Sequence, residues 1–201
     1  MRIGFFGGTF DPPHLGHLAV ARAAALAFHL DRVLLAPVAW QPLKPNSAEA
    51  SFDDRLYMVQ LLCEETPLLE ASSVDGPRED LAPNYTIDTL QQLRSTLPQA
   101  TSLFVIVGAD SFRTLRQWRC PEELLRAADW IVVSRPYAAA SSLESLHLTT
   151  AQQSHVHPLD SIAEPASATN VRARLRAGDD CPELLPASIL AYIRAHHLYG
   201  T

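Results

Sequence analysis

Cysteine is scarce in this 201-residue chain: Cys63, Cys120 and Cys181 lie far apart, and none belongs to a C-x-x-C pair. That argues against a disulfide framework or a zinc site of closely spaced thiolates, and predicts reduced thiols in a cytoplasmic protein. Positive charge is short too. Sixteen Lys and Arg against 22 Asp and Glu give a formal net charge of −6, so non-specific nucleic-acid binding is not expected. Any anionic ligand must then be met by locally positive features. No apolar run reaches the ~20 residues of a membrane span. The most apolar helical stretch, residues 18–30, is interrupted by Arg22 and His29, so no membrane partner is expected. The first apolar run is brief and ends in glycines, unlike a secretory leader. Glycine is sparse, eight against fifteen prolines, which favours ordered loops over flexible linkers.

What is present is an alternation of apolar runs and helical patterns in a chain that is 47% hydrophobic. Strands are predicted over residues 2–6, 32–38, 69–74, 103–107 and 130–134. Helices are predicted over 17–28, 52–65, 86–97, 111–116, 122–127, 170–177 and 186–196. Strands separated by helices imply parallel pairing with right-handed crossovers: an α/β, doubly wound, Rossmann-like sheet with helices on both faces. A single domain over 1–201 is expected, its C-terminal part from about 165 being a small helical extension. Residues 41–51 and 138–154 read as irregular, and no repeat is visible.

The most informative segment is Gly7-Gly8-Thr9-Phe10-Asp11-Pro12-Pro13-His14-Leu15-Gly16-His17. It lies where the first strand turns into the first helix, the usual phosphate end of such a sheet. Gly7 and Gly8 read as positions for backbone angles closed to other residues and for close approach of a phosphate. His14 lies just outside the helix and His17 in its first turn, so both imidazoles can face one side. An imidazole can donate to a phosphate oxygen and carry charge as phosphate charge grows.

Further along, Ser167-Ala168-Thr169-Asn170-Val171-Arg172 opens a helix that Gly178 can stop. Its hydroxyls at Ser167 and Thr169 and its Arg172 guanidinium form a second set of anion donors. Gly108 and Asp110 end the fourth strand, where glycine permits close approach and the aspartate can accept from ribose hydroxyls. Lys44 can neutralise phosphate from the opposite side, and Arg135, at the end of the fifth strand, is a further candidate phosphate partner, or simply bounds the strand before Pro136. No Ser-His-Asp or Cys-His arrangement supplies a covalent nucleophile, and no His/Cys spacing suits zinc.

The opening string closely resembles the (H/T)-x-G-H signature of the nucleotidyltransferase superfamily, in the form G-G-(S/T)-F-D-P-x-H-x-G-H of bacterial nicotinate-nucleotide adenylyltransferases. Residues 166–172 resemble the superfamily's I-S-S-T-x-I-R, with Ala166, Ala168 and Val171 departing from it. Pro42-Leu43-Lys44 resembles P-x-x-P-H-K, Leu43 replacing the histidine. The closing segment from Leu185 to Tyr199 resembles a family pattern read as packing.

The resemblance implies an enzyme that transfers the adenylyl group of ATP to nicotinate mononucleotide in NAD biosynthesis. It implies ATP contacts at Gly7, Gly8, Thr9, Phe10, His14, His17, Gly108, Asp110, Ser167, Thr169 and Arg172. It implies mononucleotide contacts at Lys44, Tyr85, Thr86, Trp118 and Arg135. In the family the Asn84-Tyr85-Thr86 element reads the nicotinate carboxylate, and a tryptophan at the place of Trp118 lies against the pyridine. The catalytic group is then His14, His17 and Arg172, with Mg²⁺ bridging ATP phosphates and no metal site in the protein itself. The alternatives are a sibling acting on nicotinamide mononucleotide or pantetheine phosphate, a cytidylyl enzyme, or a non-catalytic nucleotide sensor. A dinucleotide-dependent oxidoreductase lacks its G-x-G-x-x-G after the first strand. The sequence does not speak to oligomeric state.

Overall fold

A computed structural model describes residues 1–43, 48–134, 146–159 and 167–201. Six parallel strands form one sheet: β1 (Arg2–Gly8), β2 (Arg32–Pro37), β3 (Leu69–Ala71), β4 (Ser102–Gly108), β5 (Asp129–Val133) and β6 (Val156–Leu159). Their order is β3-β2-β1-β4-β5-β6, so the winding reverses between β1 and β4. The doubly wound α/β expectation holds. The helices are α1 (Leu15–Ala27), α2 (Phe52–Cys63), α3 (Thr86–Thr96), α4 (Ala109–Phe112), α5 (Pro121–Ala127), α6 (Thr150–Gln153), α7 (Ala168–Arg176) and α8 (Ala187–Ala195).

The central strands are apolar throughout because both faces are covered. In β4, Leu103 to Val107 are all buried. On one face Phe104 and Ile106 join Ala21, Ala24 and Met58, and the same cluster runs on to Val171, Ile189 and Tyr199 of the C-terminal helices. On the other face Leu103, Val105 and Val107 join Leu90, Leu124 and Trp130.

Three expectations change. Strand β6 was not expected: Val156-His157-Pro158-Leu159 is short and holds a proline, which suits an edge strand, and among the described residues it pairs with β5 alone. The helix expected over 111–116 is two pieces, α4 and a 3-10 turn over Leu115–Gln117. The strand expected over 69–74 ends at Ala71, although Ser72 N–H still donates to Leu35 O at 2.9 Å.

Candidate active site

The carboxyl ends of β1 and β4 open into a cavity of about 900 Å³ at the point where the winding reverses. Gly7, Gly8 and Thr9 line it from β1, and Gly108 and Asp110 from β4. Tyr85, Thr86 and Trp118 line its far wall. Eight of the expected site residues therefore share one cleft. Lys44 and Arg135 lie outside the described residues.

The reading of Gly7 and Gly8 needs correction. Both sit in β1, and neither adopts a positive φ; Phe10 does, at 50°. What the glycines supply is space. A Cβ at Gly7 would lie 3.0 Å from Phe5 Cζ and 3.6 Å from Asp75 Oδ2, and one at Gly8 would lie 3.2 Å from Phe10 Cε2. The Phe10 side chain is buried, 4.7 Å from the His17 ring between centroids, so it serves as a shelf under the imidazole.

His14 is the N-cap of α1, and His17 is its third residue. Their rings lie 3.8 Å apart between centroids. The His14 backbone N–H donates to His17 Nδ1 at 3.2 Å. A neutral His17 must then carry its proton on Nε2, which makes Nε2 a hydrogen-bond donor. Burial, followed by the adjacent His14, holds the His17 pKa well below the usual imidazole value, so the neutral form prevails near pH 7. Three of the first four amides of α1 are already engaged: Leu15 N–H goes to Leu184 O, and His17 and Leu18 N–H go to His14 O.

Asp11 organises this corner and was assigned no role from sequence. Its buried carboxylate accepts from Tyr199 Oη at 2.8 Å, Glu49 N–H at 2.7 Å and Ala50 N–H at 3.1 Å. Its carbonyl accepts from Arg172 Nη1 at 2.7 Å. Arg172 thus reaches the loop that carries the histidines, from 161 residues away. Tyr199, expected only to pack, is a structural ligand of the motif, and burial with the Asp11 charge raises its phenol pKa.

Arg55 is a second residue that the sequence reading missed. It is 2% exposed and donates to Thr9 O at 2.7 Å, Val38 O at 2.8 Å and Ala50 O at 3.3 Å. It ties the β1 turn, the end of β2 and the start of α2 together. A signal existed: Arg55 falls at helical spacing with the buried Met58, Val59 and Leu62, a position no arginine occupies without acceptors.

At α7, Ser167 is the N-cap, accepting from Asn170 N–H at 3.2 Å, and Thr169 is exposed. Asp110 follows the N-cap Gly108 rather than capping, and pairs with Arg113. At the far wall Tyr85 is the N-cap of α3 and Thr86 its first residue. Trp118 donates through Nε1 to Thr114 Oγ1 at 3.1 Å, so its ring face rather than its N–H is what a ligand can use. Two further residues line this end. The Arg119 guanidinium lies 4.8 Å above the Tyr85 ring. Asp75, buried and bonded to Thr89 Oγ1, has its pKa raised by burial to about 6. No group of three or more His, Cys, Asp or Glu able to hold a metal occurs among the described residues, and no helix among them is long and apolar enough to cross a membrane.

A Rossmann-like sheet with stacked histidines at its first turn defines a class. Residues 5–174 match the model of the cytidylyltransferase-like family, a family of nucleotidyltransferases. Within that class the full length is similar to named relatives. A protein of Solibacter usitatus (strain Ellin6076), named "Probable nicotinate-nucleotide adenylyltransferase", is 40% identical over 100% of both chains. One of the same name from Roseiflexus sp. (strain RS-1) is 38% identical over 98% of this chain and 97% of its own. The chain belongs to the nicotinate-nucleotide adenylyltransferase family. Its fold also matches Plasmodium falciparum nicotinic acid mononucleotide adenylyltransferase complexed with NaAD, with a TM-score of 0.74 at 15% identity over 98% of this chain and 97% of that one.

Proposed function

We propose that this enzyme joins ATP to nicotinate mononucleotide, giving nicotinate adenine dinucleotide and pyrophosphate. A phosphate oxygen of the mononucleotide attacks the α-phosphorus of ATP, and the α–β bridging P–O bond breaks as pyrophosphate leaves. The attacking monoester is already a dianion near pH 7, so the protein need not remove a proton. Its work is to align two polyanions and meet the charge that grows between them.

What supports this reading is the close His14–His17 pair at the β1–α1 turn, whose Gly7, Gly8 and Thr9 line a cleft with two ends that suit two nucleotides. The Gly108–Asp110 end takes the adenosine, the aspartate accepting from its ribose. Backbone at Gly7, Gly8 and Thr9 passes beneath the phosphates. His17 Nε2–H donates to the α-phosphate and His14 to its neighbour. Arg172, with Ser167 and Thr169, holds the β and γ phosphates. Lys44 and Arg135 are proposed to meet the mononucleotide phosphate. At the far wall the Trp118 face stacks on the pyridine, while Thr86 and the amides of Thr86 and Ile87 at the start of α3 receive the ring carboxylate. Such donors suit an acid better than an amide, which would also need an acceptor. Mg²⁺ would come with ATP and would be held mainly by the substrate, where it would neutralise phosphate charge.

Pyrophosphate release from ATP, assayed with nicotinate mononucleotide, nicotinamide mononucleotide and phosphopantetheine in parallel, tests this. The highest kcat/KM is expected with the acid. ATP binding without pyrophosphate release, or release with the amide or phosphopantetheine alone, overturns it.

A further inference from the structure

The guanidinium assigned to the phosphate tail already holds an anion. Arg172 Nε donates to Glu49 Oε1 at 2.7 Å. Arg176, one turn further along α7, donates through Nη2 to Glu49 Oε2. Two residues four apart on a helix share a face, so the two guanidiniums approach one carboxylate from the same side. That carboxylate is fixed from behind, because the Glu49 backbone N–H is held by the buried Asp11. Arg176, then Arg172, keep the Glu49 carboxyl below its usual pKa.

Two oxygens of one anion, each on its own guanidinium, is also how a phosphoryl group is held. We propose that Arg172 and Arg176 form a two-guanidinium seat for the β/γ end of ATP and for the departing pyrophosphate, with Glu49 as its resident occupant until ATP displaces it. The inference rests on the adenylyl-transfer reading above and adds two residues to it. Arg176 becomes a second binding residue for the tail, and Glu49 an internal competitor for both cations.

The pattern of exposure fits an exchange. Arg172 is anchored at Nη1 by the Asp11 carbonyl, and its side chain is 15% exposed. Glu49 and Arg176 side chains are 41% and 49% exposed, so their contact can open to solvent with little loss. Glu49 has to leave, since a carboxylate left between the guanidiniums would face an incoming phosphate of the same sign.

Titration calorimetry of Mg-pyrophosphate into the full chain, with KM for ATP as a second readout, tests the seat. Glu49→Gln keeps the backbone bond to Asp11 and the side-chain shape while removing the charge. It is expected to tighten pyrophosphate and lower KM for ATP by about threefold to tenfold. Arg176→Ala is expected to shift both the other way by a similar factor. Opposite signs for the two variants are the signature. If both weaken binding, Glu49 orients Arg172 and does not compete with the ligand, and the proposal falls. If Arg176→Ala changes neither readout, the second guanidinium is not part of the seat, and it falls again. A folded wild-type chain that releases no pyrophosphate from ATP removes the underlying reading instead. A competent wild type with no opposed shifts removes only this inference.

Discussion

The two corners assigned above to the phosphates are built on opposite principles. At the β1–α1 turn, Asp11 and Arg55 are 1% and 2% exposed, and their bonds go to backbone atoms and a tyrosine hydroxyl buried with them. At the α7 face the contacts are side-chain ion pairs that reach solvent. Buried hydrogen bonds cannot be traded for water cheaply, whereas exposed ion pairs can. The rigid corner carries the imidazoles, where the proposed transfer would develop charge and prior alignment is worth most. The exchangeable corner lies where the proposed pyrophosphate would leave. The difference separates what must be fixed before ATP arrives from what has to let go afterwards.

The sharpest test of the fixed corner is His17→Ala. Losing a donor aimed at transition-state charge lowers kcat by roughly 10²–10⁴. The fold stays intact by circular dichroism, because the His17 ring caps only one backbone N–H. Near-normal turnover in the purified variant removes the imidazole from the mechanism. Next in size is Arg55→Ala, which strips donors from three carbonyls and leaves a buried void. A stability loss of about 3–5 kcal/mol is expected in urea unfolding, with partial rescue by Arg55→Lys, which keeps the charge but not the fork. A loss no larger than that of Arg176→Ala would erase the contrast between the corners.

The rigid corner was only half legible in the sequence. The string from Gly7 to His17 announced a phosphate turn because glycine, proline and histidine each punctuate the chain locally. The residues that hold it were silent. Glu49, Arg55 and Tyr199 meet Asp11 or the loop beside it across 38, 46 and 188 residues, and no local pattern encodes such separations. Parallel pairing could be read because alternating strands and helices leave little choice of topology. Strand β6 could not, since an edge strand with one neighbour carries neither a long apolar run nor clear alternation. Of the two properties read for Gly7 and Gly8, special backbone angles do not hold, because the backbone there is ordinary, and what remains is the room left by an absent side chain.

A second comparison sets Asp11 against Asp75, two buried carboxyls at the ends of neighbouring segments. Asp11 has Arg172 3.7 Å away, whereas among the described residues Asp75 has one side-chain hydrogen bond, from a threonine. Its pKa is raised from 3.8 to about 6, so the folded state holds the proton more tightly than the unfolded state does. The wild type therefore loses stability as pH rises from about 4 to about 6 and carries the full penalty, about 3 kcal/mol, above that. Asp75→Asn never ionises and its amide oxygen can still accept from Thr89. Its advantage in chemical unfolding should be absent near pH 4 and reach that size near pH 8. An advantage that does not vary with pH would mean that Asp75 is already ionised throughout, with a cation or solvent beside it.

The smallest effect concerns the wall opposite the phosphates. Trp118 is held edge-on to Trp130, with ring centroids 6.1 Å apart, and its N–H is committed to Thr114, so only a ring face is left for the ligand. Removing a stacking partner is worth about 0.5–1.5 kcal/mol. Trp118→Ala should accordingly raise KM for the mononucleotide by about threefold to tenfold, with a smaller rise for ATP, whose adenosine is assigned to the other end of the cleft. Equal rises for both substrates would make the indole a wall of the whole cleft rather than a platform for one ring. The division of the cavity into an adenosine end and a pyridine end would then have to be redrawn around Tyr85 and Arg119.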